Sequence, residues 1–376
     1  MNTKKIIPIL AAGILIFASC GQSSKSNSKS SNSSSTTENL STTATVAEDE
    51  TPQPPFLFEV ISKKAYFYEM GDDEKPLKSF VVKGDKGGIF ELSSGQFGIV
   101  EYTNAKGIKT AGWLKLQDLK FCFAAKEELK FRTVILDEQF KGSELIENSK
   151  IQIDYHLVFT YPAYYPDSKI LDKLRNQMMM DCFDEYGFSS IYEDPEVLPY
   201  RYFCHSREEL INPPIDPEDR EEYLNGEYDF LIERTCNIMR LYGDLLQYST
   251  GSYTYTGGAH GSYSTVYHTF DLQSGKPVLF DDIFKKEKKQ DVIKIIIAEF
   301  LKQNDFKSLK EAMYQDEENY DPKDNIRIDE KGLVFHYGLY AIDCYAAGEQ
   351  DIFIPYNKLL PYIKTNSPLY KIASKK

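Results

Sequence analysis

No hydrophobic run in this sequence is long enough to cross a membrane as a helix. A spanning helix needs about 20 consecutive apolar residues, whereas the run from Ile6 to Phe17 has 12 residues and contains a proline and a glycine. No second run of spanning length follows. We therefore expect no transmembrane helix, so that any attachment to a membrane would have to come from a lipid.

The sequence also lacks basic blocks and metal-type cysteine spacings. With 57 acidic and 44 basic residues, the formal charge of −13 argues against nucleic acid and against electrostatic docking on anionic lipid. Five of the six cysteines follow residue 100, and no two of these show the spacing of a zinc site. We expect free, buried thiols and predict neither a metal nor a cofactor.

The first twenty residues have the layout of a signal peptide. Lys4 and Lys5 precede the apolar run, and the small residues Ala18 and Ser19 lead to Cys20. This pattern resembles the lipobox of bacterial lipoproteins, although Phe17 stands where that box usually has Leu, Val or Ile. It predicts a signal peptide over 1–19, lipidation of Cys20 and a place in the cell envelope, facing the periplasm or the cell exterior. The alternative is an ordinary secretory signal with a chance cysteine.

Residues 20–55 are predicted to be a flexible tether. This segment is rich in Ser, Thr and Asn and ends in several prolines. It has too few apolar residues to repay the entropy lost when a chain becomes ordered.

Residues 56–120 show short strands separated by turn residues, which predicts a small barrel. The ending Gly112-Trp113-Leu114 resembles that of the bacterial SH3-like domains found on cell-envelope proteins. That resemblance implies wall or peptide targeting through an aromatic groove. Candidate groove residues are Tyr66, Tyr68, Tyr102 and Trp113. The alternative is that Trp113 and most of these tyrosines fill the barrel core.

The rest of the chain mixes strands and helices, so the predicted fold class is α+β. It comprises the small all-β SH3-like barrel and a mixed α/β two-part C-terminal region with an antiparallel sheet, divided into 125–250 and 251–376. Strict alternation predicts a strand from Ile151 to Tyr161, ended by Pro162. Helical spacing predicts helices over 171–182 and 293–301, and Tyr242-Gly243-Asp244 predicts a hairpin. The charged stretch 189–227 gives no assignable pattern.

A second resemblance rests on Tyr255-Thr256-Gly257-Gly258-Ala259-His260-Gly261, followed by Phe270-Asp271-Leu272 and Phe280-Asp281-Asp282-Ile283-Phe284. These strings look like the extracellular domain of RsiV-type anti-sigma factors, which sense lysozyme; the domain also occurs beside the deacetylase domain of PdaC. The resemblance covers about 145–365. It implies a non-catalytic envelope module that binds lysozyme or another envelope or host protein, with no sigma control and no deacetylase activity carried over.

The glycine-rich string is also the one stretch that suggests chemistry. His260 could act as a base, or could share a metal with His268 and Asp271. However, no Gly-x-Ser-x-Gly elbow and no phosphate-loop lysine are present, and that histidine spacing matches no known ligand set. We therefore favour a tight turn or a binding loop. The candidate ligand-binding residues are Tyr255, Gly257, Gly258, His260, Gly261 and Tyr263.

Two other classes of function stay open on the sequence alone. One is a hydrolase or deacetylase accessory acting on peptidoglycan around His260, with peptidoglycan fragments as ligands. The other is a purely structural envelope protein. The sequence does not indicate an oligomeric state.

Overall fold

The structure is a computed structural model that describes residues 53–69, 72–93, 95–104, 106–147, 149–183, 194–213, 216–312 and 316–375. The predicted signal peptide, Cys20 and all but the end of the predicted tether lie outside these residues. Residues 54–376 form one compact unit.

The described residues form sixteen strands in two sheets. In chain order the strands are β1 Phe56–Val60, β2 Lys64–Glu69, β3 Asp72–Val82, β4 Lys86–Ser93, β5 Phe97–Thr103, β6 Lys109–Lys115, β7 Leu119–Phe123, β8 Lys126–Lys141, β9 Gln152–Tyr164, β10 Asp229–Tyr242, β11 Leu245–Tyr255, β12 Ser262–Asp271, β13 Lys276–Pro277, β14 Ile326–Ile328, β15 Gly332–Tyr337 and β16 Gln350–Pro355. The helices are α1 Ser168–Phe183, α2 Leu198–Ile211, α3 Pro217–Asn225, α4 Phe280–Ile283, α5 Lys289–Gln303, α6 Tyr356–Leu359 and α7 Tyr370–Ala373. The α+β class is confirmed.

The large sheet has the order β13-β12-β11-β10-β9-β8-β7-β1-β4-β5-β6-β2-β3, and β14, β15 and β16 form the small sheet. Neighbouring strands of the large sheet run antiparallel, except β9 and β10, which run parallel. Parallel neighbours need a long crossover connection, and here that crossover contains α1, α2 and α3. The stretch 189–227, which the sequence left unassigned, therefore supplies two of the crossover helices that the structure describes, α2 and α3.

The predicted strand and helix at the start of this crossover are confirmed, with one correction. Ile151, Tyr155 and the other odd-numbered residues up to Tyr161 are buried. However, β9 continues through Pro162 to Tyr164. The pairing with β8 shifts register there, and such an irregularity accommodates a proline, which has no backbone N–H to donate to the sheet. Asp167 caps α1 by accepting from the backbone N–H groups of Lys169 and Ile170.

The strands of residues 56–123 do not close into a barrel within the described residues. β7 pairs with β1 on one edge and with β8 on the other, so β7 has no free edge with which to complete a barrel. Hydrogen bonding therefore continues across the boundary predicted near residues 120–125. The SH3-like character of the first strands stays a prediction.

The turn between β4 and β5 contacts the central part of the same sheet. A Cβ placed on Gly95, which has φ 68°, would lie 1.8 Å from the Asn237 Oδ1 atom of β10. One hydrophobic core runs from the first strands to β12 beneath α1 and α2, and a second lies between the small sheet and α5.

Candidate binding surface

The glycine-rich string lies at the end of the hairpin formed by β11 and β12. Gly257 and Gly258 both have φ 92°, a conformation that residues with a Cβ rarely adopt. The Tyr255 hydroxyl donates to the Gly258 carbonyl oxygen at 3.2 Å. The string is therefore the tight turn that its glycines predict, and it leaves His260 exposed.

His260 stacks on a tyrosine from a distant part of the chain. The rings of His260 and Tyr345 have centroids 3.8 Å apart and an interplanar angle of 22°. The Tyr345 hydroxyl donates to the Gly261 carbonyl oxygen at 2.8 Å, and Nδ1 of His260 lies 3.1 Å from that oxygen. The hairpin loop is thus joined to the loop between β15 and β16.

Two more tyrosines extend this stack. The Tyr263 ring meets Tyr345 edge-on at 6.3 Å, and the Tyr340 ring lies 5.6 Å from Tyr345. Tyr340 is 49% exposed and has φ 60°, which costs a residue with a Cβ about 1–2 kcal/mol. We call Tyr255, His260, Tyr263, Tyr340 and Tyr345 the aromatic surface.

The structure brings all the predicted ligand-binding residues together in this one hairpin. Tyr340 and Tyr345 were not selected from the sequence, since about 80 residues separate them from His260 and spacing alone does not show such a contact. The strings Tyr340-Ala341-Ile342 and Tyr345-Ala346-Ala347-Gly348 agree with the second resemblance, but they do not by themselves indicate a site.

A row of polar side chains crosses the sheet towards the aromatic surface. Asp137, His156, Glu233, Tyr253 and Tyr263 are successive cross-strand partners from β8 to β12. Directly paired residues point to the same face of a sheet, so these side chains form one strip, which we call the cross-strand row. The hydrogen bond to His156 lowers the pKa of Asp137, and burial raises the pKa of Glu233.

An ionic network around the buried His336 holds the loop that carries Tyr345. Glu349 accepts from the backbone N–H and the hydroxyl of Thr265 at 2.7 and 2.9 Å. His336 lies 2.6 Å from Asp351 and 3.5 Å from Glu349, and Arg327 lies 3.0 Å from Asp351. Burial lowers the pKa of His336, but the hydrogen bond to Asp351 and the two carboxylate charges outweigh it and raise the pKa to about 9. The histidine is therefore a cation at neutral pH.

Three of the four predicted groove residues share a face in the first strands. Tyr68 is paired with Trp113, and Tyr66 lies on the same side of β2, with its ring 5.6 Å from Phe80. Tyr102 packs on the other side, against the core. The alternative that these rings fill the core does not hold for Tyr66, which is 36% exposed, whereas Tyr68 and Trp113 are partly buried.

The structure does not bring His260 and His268 together. His268 lies on the helix-covered face, where Nε2 is 2.9 Å from the Thr250 hydroxyl and Nδ1 is 3.3 Å from Asp181. No group of His, Cys, Asp or Glu side chains in the described part of the chain is arranged to hold a metal ion.

None of the helices in the described ranges is both long enough and apolar enough to span a membrane.

Comparison with known protein families finds a match in the C-terminal part of the chain. Residues 281–357 match the model of a protein family of unknown function, DUF3298. The C-terminal part of the chain is thus a DUF3298 domain. It contains the ionic network together with Tyr340 and Tyr345, whereas the hairpin loop precedes it.

Solved structures of the same family resemble the chain as well. A DUF3298 protein from Bacteroides fragilis NCTC 9343 is 25% identical, covers 66% of this chain and 98% of its own, and has a TM-score of 0.57. A DUF3298 protein from Pseudomonas aeruginosa PAO1 is 16% identical, with 63% and 95% covered and a TM-score of 0.41. No curated protein matches the chain.

Proposed function

We propose that this protein is a cell-envelope lipoprotein, anchored through Cys20, that binds a protein partner without catalysis through the aromatic surface. One observation carries the proposal: two distant segments meet in the His260–Tyr345 stack and leave several aromatic rings partly exposed. Exposed aromatic side chains held on a rigid scaffold are typical of binding surfaces, since they bury a large area at little cost in conformational entropy.

The charge next to the aromatic surface favours a cationic partner. Asp137 and Glu233 lie in the cross-strand row, and Asp154 is the paired neighbour of Gln139 one row further along the same face. Together with the net charge of −13, these carboxylates would attract and orient a basic protein. The resemblance to the RsiV-type extracellular domain makes lysozyme, a basic enzyme, the first candidate.

The surroundings of His260 favour binding over catalysis. Within the described residues its ring has one hydrogen-bond partner, the Gly261 carbonyl oxygen, and no hydroxyl or thiol is bonded to it. A histidine acting as a general base must lie within reach of the group that it deprotonates. The alternative, a peptidoglycan hydrolase or deacetylase accessory, would need a nucleophile or a metal that this surface does not present among those residues.

Titration calorimetry with a lysozyme tests the proposal. Protein comprising residues 54–376 is expected to give saturable heat, with an affinity that falls between low and physiological salt because charge steers the encounter. Absence of heat at both salt concentrations would remove lysozyme as the partner, and peptidoglycan fragments would be tested next.

A second proposed role, wall targeting, belongs to the first strands. Two rings of this face lie near lysines: Lys64 Nζ is 4.3 Å from the Phe80 ring centroid, and Lys115 Nζ is 5.3 Å from that of Tyr68. Exposed rings flanked by cations suit an anionic, ring-containing polymer.

We expect the double substitution Tyr66→Ala with Phe80→Ala to reduce sedimentation with purified peptidoglycan sacculi at least about 10-fold, since each ring lost from a binding face costs about 1 kcal/mol or more. Tyr164→Ala, which removes a ring that is 51% exposed at the end of β9, should leave sedimentation unchanged. Equal sedimentation of all three proteins would argue against a wall-binding role for this face.

A further inference from the structure

Two cysteines are buried where α1 ends on the large sheet. Cys182, in the last turn of α1, is 8% exposed, and Cys236, in β10, is fully buried. Both are free thiols in the structure, as are the other described cysteines. The sequence offered no reason to connect them, because a helix residue and a strand residue more than 50 positions apart have no informative spacing.

The neighbours of Cys182 place its side chain over β10. On one side, Asp181 accepts a hydrogen bond of 2.6 Å from Tyr248 of β11. On the other side, the Phe183 ring packs edge-on against Phe159 of β9 at 5.2 Å. Since β10 lies between β9 and β11, and Phe159 is the cross-strand partner of Cys236, Cys182 meets the sheet at Cys236. Burial and the neighbouring Cys182 thiol raise the pKa of Cys236, as expected for two thiols that lie close together.

A hydrogen-bonded cluster fixes this end of α1. The carboxylate of Asp181 receives bonds from Tyr248 and from Gln177, and it lies 3.3 Å from Nδ1 of His268. The other ring nitrogen of His268 is bonded to Thr250. The helix end therefore has little freedom to move relative to β10, and two thiols held in one geometry lose little entropy when they become bonded.

We propose that Cys182 and Cys236 form a structural disulfide when the protein folds outside the cytoplasm. Each thiol gives up one proton and one electron, the sulfur–sulfur bond forms, and a disulfide oxidant such as oxidised glutathione or a thiol oxidase is reduced to two thiols. Because both sulfurs are buried, the bond forms during folding, before α1 is fully packed, and then resists reduction. The inference relies on the proposed extracytoplasmic location but not on the ligand.

Thiol mapping of the refolded full chain tests this directly. The chain carrying Cys20→Ser is unfolded in urea with a reductant and refolded in a reduced and oxidised glutathione buffer. After denaturation we expect three of the five remaining thiols to react with a thiol reagent, and mass spectrometry to find the peptide of Cys182 linked to that of Cys236. The bridged protein should melt on the order of 5 °C above the same protein refolded under reducing conditions.

Matched variants separate this pair from the other cysteines. Cys122→Ser should retain the linked peptides, and Cys236→Ser should lose them. Five reactive thiols, or a bridge from Cys182 to any other cysteine, would overturn the inference, and peptide mapping of the Cys20→Ser chain decides this even if Cys236→Ser does not fold. A bridged protein that gives no heat with lysozyme would reject the proposed ligand while leaving the disulfide in place.

Discussion

Replacing Tyr345 with alanine is expected to weaken lysozyme binding by about 30-fold or more, which corresponds to about 2 kcal/mol. Tyr345 contacts His260, Tyr263 and Tyr340, so its loss removes the centre of the aromatic surface. It also removes the hydroxyl that donates to the Gly261 carbonyl oxygen. The hairpin loop would then lose its attachment to the loop between β15 and β16.

Three further variants test whether the loss of affinity comes from the Tyr345 ring. Tyr345→Phe keeps the ring and loses one hydrogen bond, so its affinity should fall less than about 10-fold. Tyr340→Ala removes an exposed ring with no hydrogen-bonding role at the hairpin loop and should cost about 10-fold. Tyr164→Ala serves as the control for an exposed tyrosine elsewhere. If Tyr345→Ala bound lysozyme like the parent while keeping its melting temperature, the binding surface would lie somewhere else.

His260→Ala distinguishes binding from catalysis at the same place. A binding residue changes the dissociation constant alone, whereas a catalytic base would lower turnover of a wall substrate by at least about 100-fold. A protein with a purely structural role would show neither effect. The calorimetric titration and an assay with peptidoglycan fragments, performed on the same preparation, discriminate among these three.

Folding stability is expected to fall by about 3 kcal/mol between pH 6.5 and pH 9 because of His336. The pKa of this histidine is about 9 in the folded protein and near 6.5 when unfolded. A raised folded pKa means that the folded state binds the proton more tightly, so the contribution is complete below pH 6.5 and is lost as pH rises through 9. Burial lowers the pKa of His268, so the contribution of His268 to the pH dependence of stability lies below pH 6.5, outside this range.

Urea unfolding across this pH range, with a leucine variant, measures the effect. At pH 6.5 the substitution His336→Leu should cost about 3 kcal/mol, because it leaves Glu349 and Asp351 without their shared buried cation. At pH 9 the loss relative to the parent should be much smaller. His205→Gln, on the surface of α2, should change stability by no more than about 0.5 kcal/mol at either pH. A parent protein whose stability stayed constant from pH 6.5 to pH 9 would contradict a charged His336.

Several elements could be predicted because their signals are local. The alternation from Ile151 to Tyr161 identified β9 and its buried face, and the helical spacing over 171–182 identified α1. In each case the pattern repeats every two residues or every three to four, which is the period of the structure that it forms. The glycines at 257 and 258 likewise indicated a tight turn, since glycine adopts a positive φ readily because it has no Cβ.

Other features could not be predicted because they depend on which distant segments pair. Short strands in residues 56–120 suggested a closed barrel, but closure is decided by the edge partner of β7, and that partner is β8. The sequence predicted no element in the stretch 189–227, although Leu198, Tyr202 and Ser206 of α2 are buried at helical spacing. Its helices α2 and α3 belong to the crossover that parallel β9 and β10 require.

The sequence by itself therefore determined the mixed α+β class, the main strands and helices, and the glycine turn that exposes His260. Only the tertiary structure decided that Tyr345 lies on His260, that His336 meets two carboxylates, and that Cys182 lies over Cys236. The physical reason is the range of the interactions involved. Backbone conformation and side-chain periodicity act within a few residues, whereas these three contacts join segments that come together only when the sheet and its crossover have assembled.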